Sequence, residues 1–333
     1  MGEIGSEFWD VPTNKEGLSF FLEQTQWFLS GRSALKAIIK ELKGCQSIAL
    51  PSWCCDSMIK PFEDSGIEVY FYSVYYDNEV VQRLRFDCDA LFLMDYFGYT
   101  GLQLDLSDYD GVVIRDVTHS IFSYQYNDAD YYFGSLRKWC GIWTGGYAWE
   151  KNGLKFNVSD EYDKGYTVLR QRAMQLKKDY INGQSVDDKC YLKIFNEAEE
   201  LLDDVDVVSA TEHDVKIAQI LDVQKIITKR RANAEILRRA FSEWLAFPDM
   251  KDTDCPMFVP ILVPNGKRDE LRKFLIQNEI YCPVHWPVSE HHKLGKKEQF
   301  IYDNELSLVC DQRYTEEDMN RIVDVITTFW KGR

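Results

Sequence analysis

Apolar runs of strand length recur between residues 47 and 135: Ser47–Leu50, Ile67–Val74, Ala90–Tyr96, Gly111–Arg115 and Tyr131–Ser135. A helix-length stretch, Asp56–Ser65 with Met58, Ile59 and Phe62, separates the first two. Runs so uniformly apolar suit strands buried on both faces, and their alternation with helix-length connections predicts an α/β fold with a largely parallel sheet. Before them, residues 18–43 read as one helix broken at Ser30-Gly31-Arg32-Ser33. Ala34, Leu35, Ile38, Ile39 and Leu42 recur there at helical spacing, with Ser30 or Ser33 as a cap.

After about residue 154 the pattern changes. Tyr162–Tyr180, Leu192–Leu202 and Asp214–Trp244 read as long helices, followed by strand-like Met257–Val263 and Glu279–Pro283 around the helix Lys267–Asn278. Thr315–Trp330 closes the chain as an amphipathic helix whose Thr315-Glu316-Glu317-Asp318 start supplies a cap and an acidic first turn. The expected organisation is a large α/β domain over residues 1–215, then a connecting helix and a small C-terminal α+β domain over 216–333. Arg230-Arg231 and Arg238-Arg239 are expected on a solvated helix face, and His291-His292 in an exposed polar stretch.

Charge removes several function classes. The 333 residues carry 39 Lys+Arg against 54 Asp+Glu, a formal net charge of −15, which argues against binding to nucleic acid or to an anionic membrane surface. Nearly apolar runs such as Ala90–Met94 fall far short of the ~18 residues a membrane span requires. The first residues show neither a basic nor an apolar leader region. The nine cysteines are odd in number and lack CxxC spacing, so neither a disulfide framework nor a zinc site is expected. A reduced, cytoplasmic protein without a metal is the resulting expectation.

Three segments could carry chemistry. Ser135-Leu136-Arg137-Lys138-Trp139 ends a strand-like run with a lysine among Phe133, Trp139 and Trp143. Desolvation there would lower the amine's pKa and make it a nucleophile toward carbonyls. Asp116-Val117-Thr118-His119 stands where another strand runs out, the place where open α/β sheets bind ligands. Gly31-Arg32-Ser33 opens a helix, whose N–H groups and dipole suit a phosphate. Each alone is more often plain structure: a surface lysine, a capping aspartate with a packed histidine, a capped helix.

Together the three supply a phosphate cradle, a carboxylate for a pyridine nitrogen and a lysine for an aldehyde. In order and spacing the chain resembles the fold-type-I pyridoxal-phosphate enzymes, and more narrowly the DegT/StrS sugar aminotransferases. The resemblance runs through Ile4-Gly5-Ser6-Glu7-Phe8-Trp9, Gly31-Arg32-Ser33-Ala34-Leu35, Leu50-Pro51-Ser52-Trp53-Cys54-Cys55, Asp116–His119 and Ser135–Trp139. It continues in Gly145-Gly146, Leu306-Ser307-Leu308 and Thr315–Asp318. It implies that Lys138 links covalently to the cofactor aldehyde and later shuttles a proton. It implies further that Asp116 holds the pyridine nitrogen, that His119 lies at the ring, and that Gly31, Arg32, Ser33 and Ser135 hold the phosphate. Trp53 or Cys55 would lie against the ring.

The activity implied is transfer of an amino group from an amino acid such as glutamate to a keto group on a nucleotide-linked sugar, by a homodimer. A lyase, decarboxylase or dehydratase of the same fold, and a non-catalytic relative, are the alternatives. Where members carry a Gly-Tyr-Asn-Tyr-Arg-like stretch reaching the partner's phosphate, this chain reads Val208-Ser209-Ala210-Thr211-Glu212-His213-Asp214, with Ser209 as the replacement candidate. Arg32 and Arg137 are the expected sources of local positive charge for the anionic ligands.

Overall fold

A computed structural model describes residues 2–14, 19–85, 87–101, 104–123, 128–159, 163, 165–184 and 189–332. The chain forms two compact units: residues 1–6, 45–128 and 224–333 make unit 1, and residues 7–44 and 129–223 make unit 2.

In unit 1, strands β3 (Ser47–Pro51), β4 (Glu68–Tyr76), β5 (Val80–Arg83), β6 (Ala90–Met94) and β7 (Val112–Asp116) lie in the order β7-β6-β3-β4-β5. The pairs β3–β4, β3–β6 and β6–β7 are parallel, and only β5 runs antiparallel to its neighbour. Every residue of β6 is buried, as its unbroken apolar sequence demands. Helix α2 (Asp56–Asp64) is the connection expected between β3 and β4. The same unit holds α6 (Val223–Ala240), β10 (Phe258–Leu262), α7 (Arg268–Gln277), β11 (Ile280–Tyr281), α8 (Lys296–Asn304), β12 (Glu305–Val309) and α9 (Glu316–Lys331). Strand β12 pairs antiparallel with β10, and β1 (Ile4–Gly5) pairs parallel with β11. All of these elements except α8 contribute to one core that includes Leu237, Val259, Leu271, Leu306, Ile322 and Phe329. Thr315 and Asp318 form the capping box that starts α9.

Unit 2 contains β2 (Gln26–Phe28), β8 (Tyr131–Ser135) and β9 (Gly146–Glu150), with β9 antiparallel to both others. Its helices are α1 (Gly31–Glu41), α3 (Tyr166–Ile181), α4 (Tyr191–Leu201) and α5 (Glu212–Gln219). Two apolar clusters hold it, one of Leu29, Tyr166, Ala198 and Leu202, the other of Ala173, Met174, Tyr191 and Phe195.

Several expectations need correction. Residues 18–43 are not one helix: Gln26–Phe28 pairs as a strand with Gly146–Ala148, and the helix begins only after Ser30. The expected helix Asp214–Trp244 is two, because Leu221 bridges to Thr13 and the Asp222 N–H donates to the Pro12 carbonyl, which pulls the backbone out of helix. The helix expected from Tyr162 starts at Tyr166, and Tyr162 itself lies outside the described residues. Arg230 is fully buried, donating to the Gln312 side chain and the Met257 carbonyl, and Arg238 is buried on the carbonyls of Phe247 and Pro248. A guanidinium satisfied by carbonyls can leave water, which a charge count does not reveal. His291 and His292 are half-buried, His291 against Glu63 and His292 stacked on Phe71. No helix among the described residues is long and apolar enough to cross a membrane, and no disulfide joins any of the nine cysteines.

Candidate active site

Unit 2 brings together Gly31, Arg32, Ser33, Ser135 and Lys138. Ser30 caps α1 in extended conformation, its hydroxyl accepting the Ser33 N–H at 3.2 Å. The first N–H groups of the helix, those of Gly31 and Arg32, have no intrahelical acceptor. Gly31 packs against the end of β8, just before the lysine turn: a Cβ there would lie 3.3 Å from the Ser135 Cβ. Gly146 is needed for the same approach, because the Ser30 carbonyl oxygen lies 1.9 Å from where its Cβ would be. The Ser135 hydroxyl is buried and makes no hydrogen bond within the described residues. A buried hydroxyl beside helix N–H groups without an intrahelical acceptor can hold an anion.

Lys138 ends a short 3-10 turn, Leu136–Lys138, that follows β8. It is exposed, not enclosed by Phe133, Trp139 and Trp143 as expected. Trp139 is fully buried, and Trp143 stacks on His213 with ring centroids 4.3 Å apart.

The residue before the lysine anchors the turn. Arg137 is buried and donates to the Tyr166 hydroxyl at 2.6 Å and to Glu199 on α4. Arg170, 1% exposed, joins the same carboxylate at 3.7 Å and donates to Glu7 at 2.8 Å. Arg32 turns toward Glu199 and Asp203, 3.6 and 3.8 Å away. The two arginines expected to supply excess positive charge are therefore largely neutralised by acids on α4 and just beyond it. Ser33 is also engaged, its hydroxyl donating to the Asp206 carbonyl at 2.8 Å.

Burial works against the ionised form of Glu199, but Arg137, Lys138 and Arg170 outweigh it and hold the carboxyl well below its usual range. Burial likewise opposes ionisation of Glu7, and Arg170 followed by Lys138 lowers its pKa nonetheless. Depressed carboxyl pKa values contribute stability that is complete above the ordinary glutamate value and disappears as pH falls toward the folded value. Thermal melts should therefore lose stability below about pH 4.3, and Glu199→Gln should flatten that acid limb. An unchanged limb in the variant would show that the network carries no such linkage.

Unit 1 brings together Asp116, His119 and Trp53. Asp116 ends β7, is 2% exposed and accepts the Thr118 N–H at 2.8 Å. His119 is buried, takes the Phe97 N–H on Nδ1 at 3.4 Å and stacks on Trp286 with centroids 5.7 Å apart and planes at 19°. Trp53 is fully buried and stacked on Tyr96 at 4.7 Å, with its indole N–H donated to the His285 carbonyl at 2.6 Å. Cys55 is half-buried at the start of α2, its Sγ 2.9 Å from the Ser57 hydroxyl.

Sequence reasoning missed Glu7, Tyr166, Arg170 and Glu199, which reach the lysine turn from distant segments and carry no local signal. It missed Asp214 too. That carboxylate, 1% exposed, accepts the N–H groups of Trp143 and Thr144 and the Thr144 hydroxyl, fixing the turn before Gly145. Its place as third residue after the cap Thr211 was the available clue.

No family model matches the chain, and no curated protein matches it. Solved structures do. The chain is similar to Helicobacter pylori PseC, an aminotransferase involved in the biosynthesis of pseudoaminic acid, with TM-score 0.66 and 14% identity over 98% of this chain and 100% of that one. A DegT/DnrJ/EryC1/StrS aminotransferase from Brucella abortus matches with TM-score 0.58 and 13% identity over 92% and 85%. NtdA from Bacillus subtilis, solved with bound cofactor PMP, matches with TM-score 0.58 and 12% identity over 91% and 72%. The chain thus has the α/β fold of these fold-type-I aminotransferases, as the motif resemblance implied.

Proposed function

We propose that this chain is a pyridoxal-phosphate-dependent aminotransferase of the DegT/StrS type, passing an amino group from an amino acid, glutamate first among candidates, to a keto group on a nucleotide-linked sugar. The observation that carries the reading is the cradle of unit 2: a buried Ser135 hydroxyl, without a hydrogen-bond partner among the described residues, beside the first N–H groups of α1 and three residues from an exposed lysine. The residues present fit a phosphate there. Gly31 and Arg32 would hold it by backbone N–H groups and Ser135 by its hydroxyl. The bonds from Ser33 to Ser30 and Asp206 give that residue the further task of fixing the helix start.

When bound, the cofactor supplies an electron sink for the electron pair released as a proton leaves the carbon that bears the amino group. Lys138 would hold the cofactor at its aldehyde carbon and would carry that proton on Nζ. Arg137 holds the lysine's backbone in place through Glu199 and Tyr166. Asp116 would keep the pyridine nitrogen protonated, and His119 would bear on the ring. The division into residues 1–215 and 216–333, a homodimer and a cytoplasmic setting belong to the same proposal.

Adding glutamate to protein loaded with pyridoxal phosphate should shift the bound-cofactor spectrum to that of the pyridoxamine form, with release of 2-oxoglutarate. A cofactor that binds but never converts with any amino acid tried would move the reading to a lyase, decarboxylase or dehydratase.

A further inference from the structure

Three side chains of unit 1 that no step above uses form a hydrogen-bonded line. Ser307 Oγ lies 2.8 Å from His285 Nδ1 and bonds to Glu305 Oε1, while Glu305 Oε2 accepts the His285 backbone N–H at 2.7 Å. Glu305 and Ser307 are two apart on β12, so they share one face of the strand, and both are fully buried. The Ser307 N–H donates to the Pro283 carbonyl at 3.0 Å, which lays segment 283–285 along β12 and fixes the register of the line. The His285 ring touches those of Phe97 and Phe258, each with centroids 5.1 Å away, and that of His119 at 5.8 Å.

We propose that Glu305 and Ser307 are positioning residues that act through His285, forming a proton relay that decides which imidazole nitrogen carries the hydrogen. With the carboxyl protonated, its O–H donates to Ser307, the serine O–H donates to Nδ1, and the imidazole hydrogen sits on Nε2. With the carboxyl ionised, the serine O–H turns to Oε1 and Nδ1–H donates to Ser307, so Nε2 becomes an acceptor. Between the two states one proton leaves the set, and it leaves from Nε2: the Glu305 proton moves to Ser307, the serine proton to Nδ1, and the Nε2 proton outward. His285 is thereby a donor or an acceptor beside His119; that it serves the substrate there rests on the aminotransferase reading, whereas the relay does not.

The surroundings put the change in a useful range. Burial pushes the Glu305 carboxyl up to about 8, against the Ser307 bond, the His285 N–H and the Arg268 charge. Arg268 on α7 donates to the carbonyls of Tyr302 and Glu305. Arg272 on α7 donates to the Cys282 carbonyl at 3.3 Å, and the Cys282 thiol is pushed up to about 12 by burial. His119 borders the far side of the imidazole.

Nitrogen-15 imidazole spectra of the full-length, cofactor-free protein test the relay directly, with His285→Gln identifying the resonance. The His285 pattern should change from Nε2–H to Nδ1–H with a midpoint near pH 8. In Glu305→Gln the amide donates to Ser307 at every pH, so the Nε2–H pattern should hold to pH 10. Ser307→Ala breaks the line and should remove the same transition, which keeps the test open if the glutamine variant fails to fold. A wild-type pattern constant from pH 6 to 10, or a transition that persists in Ser307→Ala, would overturn the relay while leaving the cofactor reading untouched. If the relay serves turnover, the wild-type kcat/KM profile should also show an inflection near pH 8 that Glu305→Gln loses.

Discussion

Lys138→Ala should reduce kcat/KM by about 10⁴-fold or more, because one substitution removes both the nucleophile and the acid–base group of the proposed reaction. The variant should fold normally, since the lysine is exposed and ends a turn whose anchor is its neighbour Arg137. Lys138→Arg distinguishes charge from chemistry. It keeps a cation near Glu7 and Glu199, but a guanidinium is not deprotonated in proteins and makes no bond to an aldehyde. Its activity should be as low as that of the alanine variant, with an unchanged melting temperature. An arginine variant retaining a tenth of wild-type activity would mean that Lys138 contributes electrostatics alone.

The second large effect concerns stability. Trp53→Ala should lower the unfolding free energy by about 3–5 kcal/mol, the usual cost of emptying a buried aromatic position. The site is fully buried, Tyr96 stacks on the indole and donates its hydroxyl to the Trp53 carbonyl at 2.7 Å, and the indole N–H holds the His285 carbonyl. Trp53→Phe keeps a buried aromatic ring but loses that bond and part of the packed volume, at about 1–3 kcal/mol. Denaturant midpoints measure both. The result also bears on the choice between Trp53 and Cys55 as the side chain against the cofactor ring. A Trp53→Ala protein that stays fully stable but loses cofactor affinity would assign that role to the tryptophan; large destabilisation favours Cys55.

How far the sequence could be read depended on where the signal lay. The strands β3, β4, β6, β7 and β8 were legible because buried parallel strands are written as short apolar runs, and α9 because its cap and apolar stripe agree. Strand β12 was not read as a strand, since Glu305 and Ser307 interrupt its apolar pattern although all five residues are buried. Helix α8 was missed because only Ile301 and Tyr302 of its nine residues are buried, too few to show a stripe. At the candidate site the lysine turn, the helix start and the strand-end aspartate could each be found by local pattern. The acids around Arg137 could not: Glu7 and Glu199 are 192 positions apart, and only the folded chain brings them to the same arginine pair.

The lysine itself carries the central claim, and its chemistry can be read without knowing the substrate. Protein incubated with pyridoxal phosphate, reduced with borohydride and digested should yield one modified peptide, labelled at Lys138, with label lost in Lys138→Ala and kept in Lys36→Ala. No stable label, or label spread over several lysines and unaffected by Lys138→Ala, would contradict the account.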